Sequence, residues 1–240
     1  MPAATERVVT FGASVRGPQH RSLGTGNEDA WDRRGWRRGA VITVADGVGS
    51  RSHARDGAVA ACRAAVAATR QAIQAGQFEA DVIIRELEAD WERSVLPISA
   101  LGDAATTCLW AVKVENGPLQ VAQAGDGLAA VRWPDGNLEV LAKREGFLNE
   151  TDALGLSRSP TWHCLRAEDV PVGTAVLLTT DGISDDLVPA RLSEFIEYLS
   201  TEFGSLDPHQ RWRALCSELT TWPTPHHLDD KTLAMMLVSP

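Results

Sequence analysis

The sequence lacks most of what would place it outside the ordinary globular class. No apolar run in its 240 residues approaches the roughly 20 needed to span a bilayer. The opening Met1-Pro2-Ala3-Ala4-Thr5-Glu6 has no apolar leader core. Both absences read as a cytoplasmic protein with no membrane partner. Cysteine is scarce, with Cys62, Cys108, Cys164 and Cys216 far apart and no Cys-x-x-Cys pair. His163 beside Cys164 stands alone, which argues against thiolate–zinc chemistry. Cys62 lies in an Ala-rich helical stretch and Cys108 in an apolar strand, which makes both small core residues. Cations are outnumbered, 23 Lys+Arg against 32 Asp+Glu, for a net charge of −9. That balance argues against nucleic acid as a partner, because neutralising phosphates needs clustered cations. The local exception, Arg33-Arg34-Gly35-Trp36-Arg37-Arg38, reads as a solvated hairpin between two strands.

No Pro/Gly/Ser-rich linker, internal repeat or low-complexity tract divides the chain, so residues 1–240 read as one domain, and as a monomer. Strands are expected at 8–13, 40–45, 105–114, 119–124, 128–133, 137–141, 176–180 and 232–238. Helices are expected at 54–74, 80–95, 189–201 and 209–220; the second carries Ile83, Leu87, Trp91 and Val95 at i, i+4 spacing. Residues 143–160 have no clear period and read as a long excursion with few buried contacts. About ten strands and four helices, with hairpins dominating the middle, indicate a layered α+β domain.

The informative feature is where aspartates fall. Apolar strands run directly into Asp46-Gly47, Asp126-Gly127 (through Gly125) and Asp181-Gly182, and Asp229-Asp230 stands just before the last strand. Asn27-Glu28-Asp29 precedes another short segment. An Asp-Gly pair alone has a plain explanation as a tight hairpin turn, and Asp135-Gly136 is read as one. Asp46-Gly47 and Asp181-Gly182 differ, because helix-forming sequence follows each. Carboxylates gathered at sheet ends repel one another unless a cation compensates them. Hard divalent cations take such oxygen ligands, and a glycine lets its own carbonyl approach. An all-oxygen metal site is favoured over a set of unrelated turns.

The order of these motifs resembles the metal-dependent serine/threonine protein phosphatases of the 2C type, the PPM family. It rests on Asn27-Glu28-Asp29-Ala30, Ala45-Asp46-Gly47-Val48-Gly49-Ser50, Thr106-Thr107, Ala124-Gly125-Asp126-Gly127, Thr180-Asp181-Gly182-Ile183-Ser184-Asp185 and Asp229-Asp230-Lys231-Thr232, in family order through nearly the whole chain. Gly17, His20, Arg21 and Gly24, with the later Asn149-Glu150-Thr151, look like a bacterial subgroup. The resemblance implies a four-layer α/β/β/α sandwich, two antiparallel sheets packed face to face with helices on both outer faces. It also implies two Mn²⁺ or Mg²⁺ ions with a third, weaker one. Asp46 would bridge the pair, Asp181 and Asp229 would complete the first metal, and the Gly47 carbonyl would serve the second. Asp29 and Glu28 would hold metal-bound waters, and Asp126 would support the third ion. The implied reaction is hydrolysis of phosphoserine or phosphothreonine by an activated water, on a phosphoprotein from a Ser/Thr kinase system. No covalent phospho-enzyme is implied, and none of the four Cys has an Arg six residues later.

Two positions depart from the family pattern. Val48 stands where many relatives carry a histidine, which leaves water or another histidine to protonate the leaving group. The arginine that clamps phosphate would fall at Gly24, and Arg21 or His20 is read as its substitute. His226 and His227, before Asp229, are proton donors or metal ligands in one reading and solvent-facing loop residues in the favoured one. His53 is read as helix-start surface, Arg158 as surface loop and Trp91 as core. The rival functions are a phosphoprotein-binding module without turnover and a phosphatase for small phosphate esters. Keeping Asp46, Asp181 and Asp229 disfavours the first, since a silent module has no reason to hold repelling carboxylates.

Overall fold

A computed structural model of the chain describes residues 7–141, 152–225 and 228–240. Strand β1 (Arg7–Val15) leads into the short helix α1 (Pro18–Leu23) and the hairpin β2 (Asp29–Trp36), β3 (Gly39–Asp46). Helices α2 (Ala54–Ala75) and α3 (Ala80–Val95) follow. Next come β4 (Cys108–Val114), β5 (Leu119–Ala124), β6 (Leu128–Arg132), β7 (Leu138–Val140), β8 (His163–Ala167) and β9 (Ala175–Thr179). Helices α4 (Asp181–Ser184), α5 (Leu192–Gly204) and α6 (Pro208–Thr220) precede the last strand, β10 (Lys231–Ser239).

The strands form two five-stranded sheets, ordered β1-β10-β9-β6-β7 and β2-β3-β4-β5-β8, with every pairing antiparallel. Their inner faces share one core, in which Ile42, Val44, Leu109 and Val121 meet Val131, Val176, Leu178 and Met236. Both faces of each sheet are covered, so the central strands read as continuous apolar runs and not as alternation. On one outer side α2 presents Ala58, Ala61, Ala65 and Ala68, small residues that let the helix sit close on the sheet. Beside it α3 buries its whole i, i+4 stripe, Ile83, Leu87, Trp91 and Val95. The Trp91 indole N–H donates to the Gly57 carbonyl at 3.1 Å, so the bulky side chain is buried without an orphaned donor. On the other outer side Ile196, Leu199 and Phe203 of α5 and Leu215 of α6 form a second apolar layer. The expected four-layer α+β sandwich is therefore the observed one.

Several details differ from the sequence reading. There are six α-helices among the described residues, where four were expected, because α1 and α4 are too short to show a period. Strand β8 was not expected at all. Arg33, Arg34 and Trp36 lie within β2, so of the basic cluster only Arg37 and Arg38 form the turn. Strands β5 and β6 belong to different sheets, which makes Gly125-Asp126-Gly127 a crossover between layers and not a hairpin. Asp135-Gly136 does form the turn of the β6–β7 hairpin, with the Asn137 N–H donating to Asp135 Oδ1 at 3.0 Å. Of residues 143–160, the described part is mostly exposed or half-exposed, with one anchor point. Ala153 and Leu154 are buried, and Leu154 exchanges backbone hydrogen bonds with Thr106 at 2.9 and 3.1 Å. Two adjacent apolar residues anchor a segment without producing a periodic stripe.

Candidate metal centre

The hairpin β2–β3 sets two of the carboxylates opposite each other, since Asp29 opens β2 and Asp46 closes β3 as register partners. The Thr106-Thr107 pair fixes the backbone at Asp46. The Asp46 N–H donates to Thr107 Oγ1 at 2.9 Å, and its carbonyl accepts from the Thr107 N–H and from Thr106 Oγ1, both at 2.8 Å. Gly47 follows in an isolated bridge to Thr106. The flanking bonds, Val48 N–H to Ala105 O and Thr107 N–H to Asp46 O, do not use the Gly47 carbonyl. Asp29 is held by Thr180, whose Oγ1 donates to Asp29 Oδ2 at 2.9 Å across the two sheets.

The second sheet supplies the rest. Strand β9 runs out at Thr179, Thr180 caps α4, and Asp181 is the first residue of that helix. Strand β10 pairs beside β9 and begins immediately after Asp229-Asp230. The Asp46 and Asp181 carboxylates are neighbours across the two sheets. Asp229 is half-exposed, whereas Asp230 is buried and turned inward. Its carboxylate accepts the Gly17 N–H at 2.7 Å and the Glu28 N–H at 2.6 Å, and it meets His20 Nδ1 at 2.8 Å. Two glycines make room for that backbone. A Cβ on Gly182 would lie 1.9 Å from the Asp230 carbonyl oxygen, and one on Gly17 would lie 2.1 Å from that of Asp229. The glycine of Asp181-Gly182 is therefore required by packing.

The electrostatics follow from burial. Burial pushes the Asp46 carboxyl well above the usual carboxylate range, and the charges of Asp29, Asp181 and Asp229 push it further. Burial, with Asp230 and Asp181 nearby, raises Asp29 to about 8 against the lowering effect of bonds from Thr232 and Thr180. Burial also raises Glu28, which His20 partly opposes. For His20 the largest influence is again burial, which disfavours its charge, but Asp230, Asp229 and Glu28 together outweigh it and raise its pKa. The cluster has more negative charge than it can hold ionised. An all-carboxylate donor set with that deficit fits hard divalent cations.

Of the residues named from sequence, Glu28, Asp29, Asp46, Gly47, Asp181 and Asp229 are brought to one end of the sandwich. Asp126 is exposed on the crossover, whose Gly125 lies against Thr107 and Gly127 against the Thr179 carbonyl. Arg21 is exposed, and its guanidinium donates to the Arg16 carbonyl. His20 faces the carboxylates, with Nε2 4.0 Å from Glu28 Oε2. Among the described residues His20, Asp229 and Asp230 are a group close enough to hold a cation together. His226, His227 and Asn149-Glu150-Thr151 lie outside the described residues. Sequence reasoning missed Asp230 as the centre of the hydrogen-bond network; the only available signal was that a second Asp follows Asp229.

The sequence profile of the family described as protein phosphatase 2C matches residues 16–222. No curated protein sequence matches the chain. Solved structures share the fold at low identity. PppA, a regulatory component of the type VI secretion system in Pseudomonas aeruginosa, is 17% identical with TM-score 0.67, over 98% of each chain. The catalytic domain of the serine/threonine phosphatase PstP, in complex with two manganese ions, is 18% identical with TM-score 0.62, over 98% of this chain and 100% of that one. MsPP of Mycobacterium smegmatis, a PPM phosphatase in complex with cacodylate, is 17% identical with TM-score 0.64, over 96% and 97%.

Proposed function

Because the chain belongs to the protein phosphatase 2C family, we propose that it is a metal-dependent phosphatase of phosphoserine and phosphothreonine in proteins. One observation carries this reading: Asp29 and Asp46 from one sheet and Asp181 and Asp229 beside the other converge where burial raises the pKa of Asp29 and Asp46. Asp46, Asp181, Asp229 and the Gly47 carbonyl would hold two Mn²⁺ or Mg²⁺ ions, Asp29 and Glu28 their waters, and Asp126 a third, weaker ion. Bound there, such ions would supply an activated water and charge compensation for a phosphate monoester. The protein's own contribution is orientation. Thr106 and Thr107 fix the Asp46 backbone, Thr180 holds Asp29, and Asp230 positions Glu28. Val48 has no proton to give, which leaves water or a histidine to protonate the leaving oxygen. Arg21, exposed on α1, and His20, which faces the carboxylates, would be the groups that meet the substrate phosphate.

A second reading, phosphoprotein binding without turnover, draws support from Gly24, which ends α1 in a left-handed conformation (φ 71°) and offers no phosphate clamp. The common core of the two sheets supports one domain over 1–240. No helix among the described residues is long and apolar enough to cross a membrane. A phosphoprotein substrate from a Ser/Thr kinase system fits the regulatory setting in which the neighbour PppA is placed. The test is parallel hydrolysis of p-nitrophenyl phosphate and a phosphothreonine peptide. Turnover should require Mn²⁺ or Mg²⁺, vanish with EDTA, and be abolished in Asp46→Ala. Wild-type turnover under chelation or in that variant refutes the metal centre, and hydrolysis of the small ester alone refutes the protein substrate.

A further inference from the structure

One side of the sandwich is an open strand edge. β2 ends its sheet, and no strand among the described residues pairs with its outer side. Such an edge is a template for an added strand. Successive side chains of β2 point to opposite faces. Trp31 and Arg33 face the partner sheet, where the Arg33 guanidinium donates to the Thr10 carbonyl at 3.0 Å. Asp32, Arg34 and Trp36 face α2, and between this edge and the helix runs a cleft of about 560 Å³. The helix wall is Arg63, Val66, Ala67, Arg70, Gln71 and Gln74, spaced at i, i+3, i+4, i+7, i+8 and i+11 along a single face.

The cleft combines an apolar floor with positive walls. Trp36, Val66 and Ala67 form the floor, and Arg34, Arg63 and Arg70 are exposed around it. None of the three has an ion-pair partner among the described residues. In a chain of net charge −9, gathering them around the single carboxylate of Asp32 is a local reversal of sign. Charge on an edge strand guards against unwanted pairing, and that accounts for Arg34. It does not account for Arg63 and Arg70, which come from a helix. A second copy would bring a further Arg34, Arg63 and Arg70 to a cleft that is already positive. A nucleic acid would use the arginines and could stack a base on Trp36, but it would leave the unpaired strand unused.

The geometry points to an extended, acidic peptide segment as the occupant, paired with the edge of β2 and flanked by α2. A strand edge beside a helix gives backbone hydrogen bonds on one wall and side-chain selection on the other. β2 starts at Asp29 in the carboxylate cluster, and at about 3.3 Å per residue Arg34 lies about 17 Å along it. An added strand, antiparallel like all others in the sheet, would run toward the cluster. The acidic residues would then lie about five positions before the phosphorylated one. The link to a phosphorylated residue rests on the proposed function, but the binding does not.

The test is fluorescence anisotropy on the full chain, with a labelled unphosphorylated Asp/Glu-rich decapeptide as probe. We expect its Gln/Asn counterpart, and a version N-methylated at alternate residues, to bind at least about tenfold more weakly. The double variant Arg34→Glu, Arg70→Glu should weaken the acidic peptide by a similar factor. It should also raise KM for a phosphothreonine peptide carrying the acidic segment, with p-nitrophenyl phosphate turnover unchanged. Arg63→Glu is the second variant should the first lower the unfolding temperature. Equal binding by the neutral peptide, by the N-methylated peptide or by the variants overturns the proposal. Displacement by an oligonucleotide of equal charge at equal concentration also overturns it, in favour of nucleic acid. Selective peptide binding without any turnover would sink the phosphatase reading and leave the docking cleft standing.

Discussion

His20 Nδ1 lies 2.8 Å from Asp230 Oδ2, although 210 positions separate the two in the chain. The same carboxylate takes backbone N–H groups from Gly17 and Glu28, so one buried side chain fastens the whole α1 segment to the start of β10. Removing it strands several buried donors at roughly 1–3 kcal/mol each. Asp230→Ala should therefore cost about 3 kcal/mol in urea unfolding. Asp230→Asn, which keeps an oxygen for His20 and Glu28, should fall between the two. A wild-type midpoint for Asp230→Ala would remove Asp230 from the centre of this network.

The pH dependence of the metal-free protein has a definite sign. The Asp29 pKa is about 8 in the folded chain, against about 3.9 unfolded, and Asp46 is raised in the same direction. The native state then keeps protons that the unfolded state has lost. With EDTA present, stability should be greatest below about pH 4 as far as these groups are concerned, and should fall as pH rises toward about 8. Added Mn²⁺ should reverse the trend. Thermal unfolding across that range, with and without chelator, checks both halves. A chelated protein that gains stability from pH 5 to 8 would contradict the assignment.

Arg21 is the candidate for holding substrate phosphate now that His20 is turned onto Asp230. Its guanidinium is exposed on α1 and donates only to a backbone carbonyl among the described bonds, which leaves it able to reorient. Arg21→Ala should raise KM for a phosphothreonine peptide several-fold, with little change in metal affinity measured by calorimetry. An unchanged KM would mean that phosphate is held without Arg21.

Asp126 sits on the crossover between the sheets, packed through its neighbouring glycines beside Thr107 and Thr179. Asp126→Ala should lower phosphopeptide turnover and spare both tight metal sites. Loss of both tight ions in a calorimetric titration would instead place Asp126 in the primary centre. Unaltered rates on peptide and small ester alike would reduce it to a connection.

Much of this was legible in the chain because the relevant signals are local. Strands that run into Asp46-Gly47 and Asp181-Gly182, the alanines of α2 and the stripe on α3 each declare themselves within a few residues. β8 did not, because its residues alternate between half-buried and exposed and include His163, Cys164 and Arg166. α1 did not, because its six residues bury none of their side chains. The role of Asp230 was out of reach for another reason. Its partners Gly17 and Glu28 are more than 200 positions away, and nothing in Asp229-Asp230 says which carboxylate turns inward.

The carboxylates hang from two different sheets, and inside each sheet the hydrogen-bond ladders are complete without the other. A slip of one sheet past the other by a single residue, about 3.3 Å, would scatter Asp29 and Asp46 from Asp181 and Asp229 yet leave every strand pairing intact. The interdigitated side chains of Ile42, Leu109, Val176 and Met236 are what forbid that slip. Strand pairing and competence are thus set in different places in this molecule: the ladders within each sheet fix the first, and the second belongs to the seam between them.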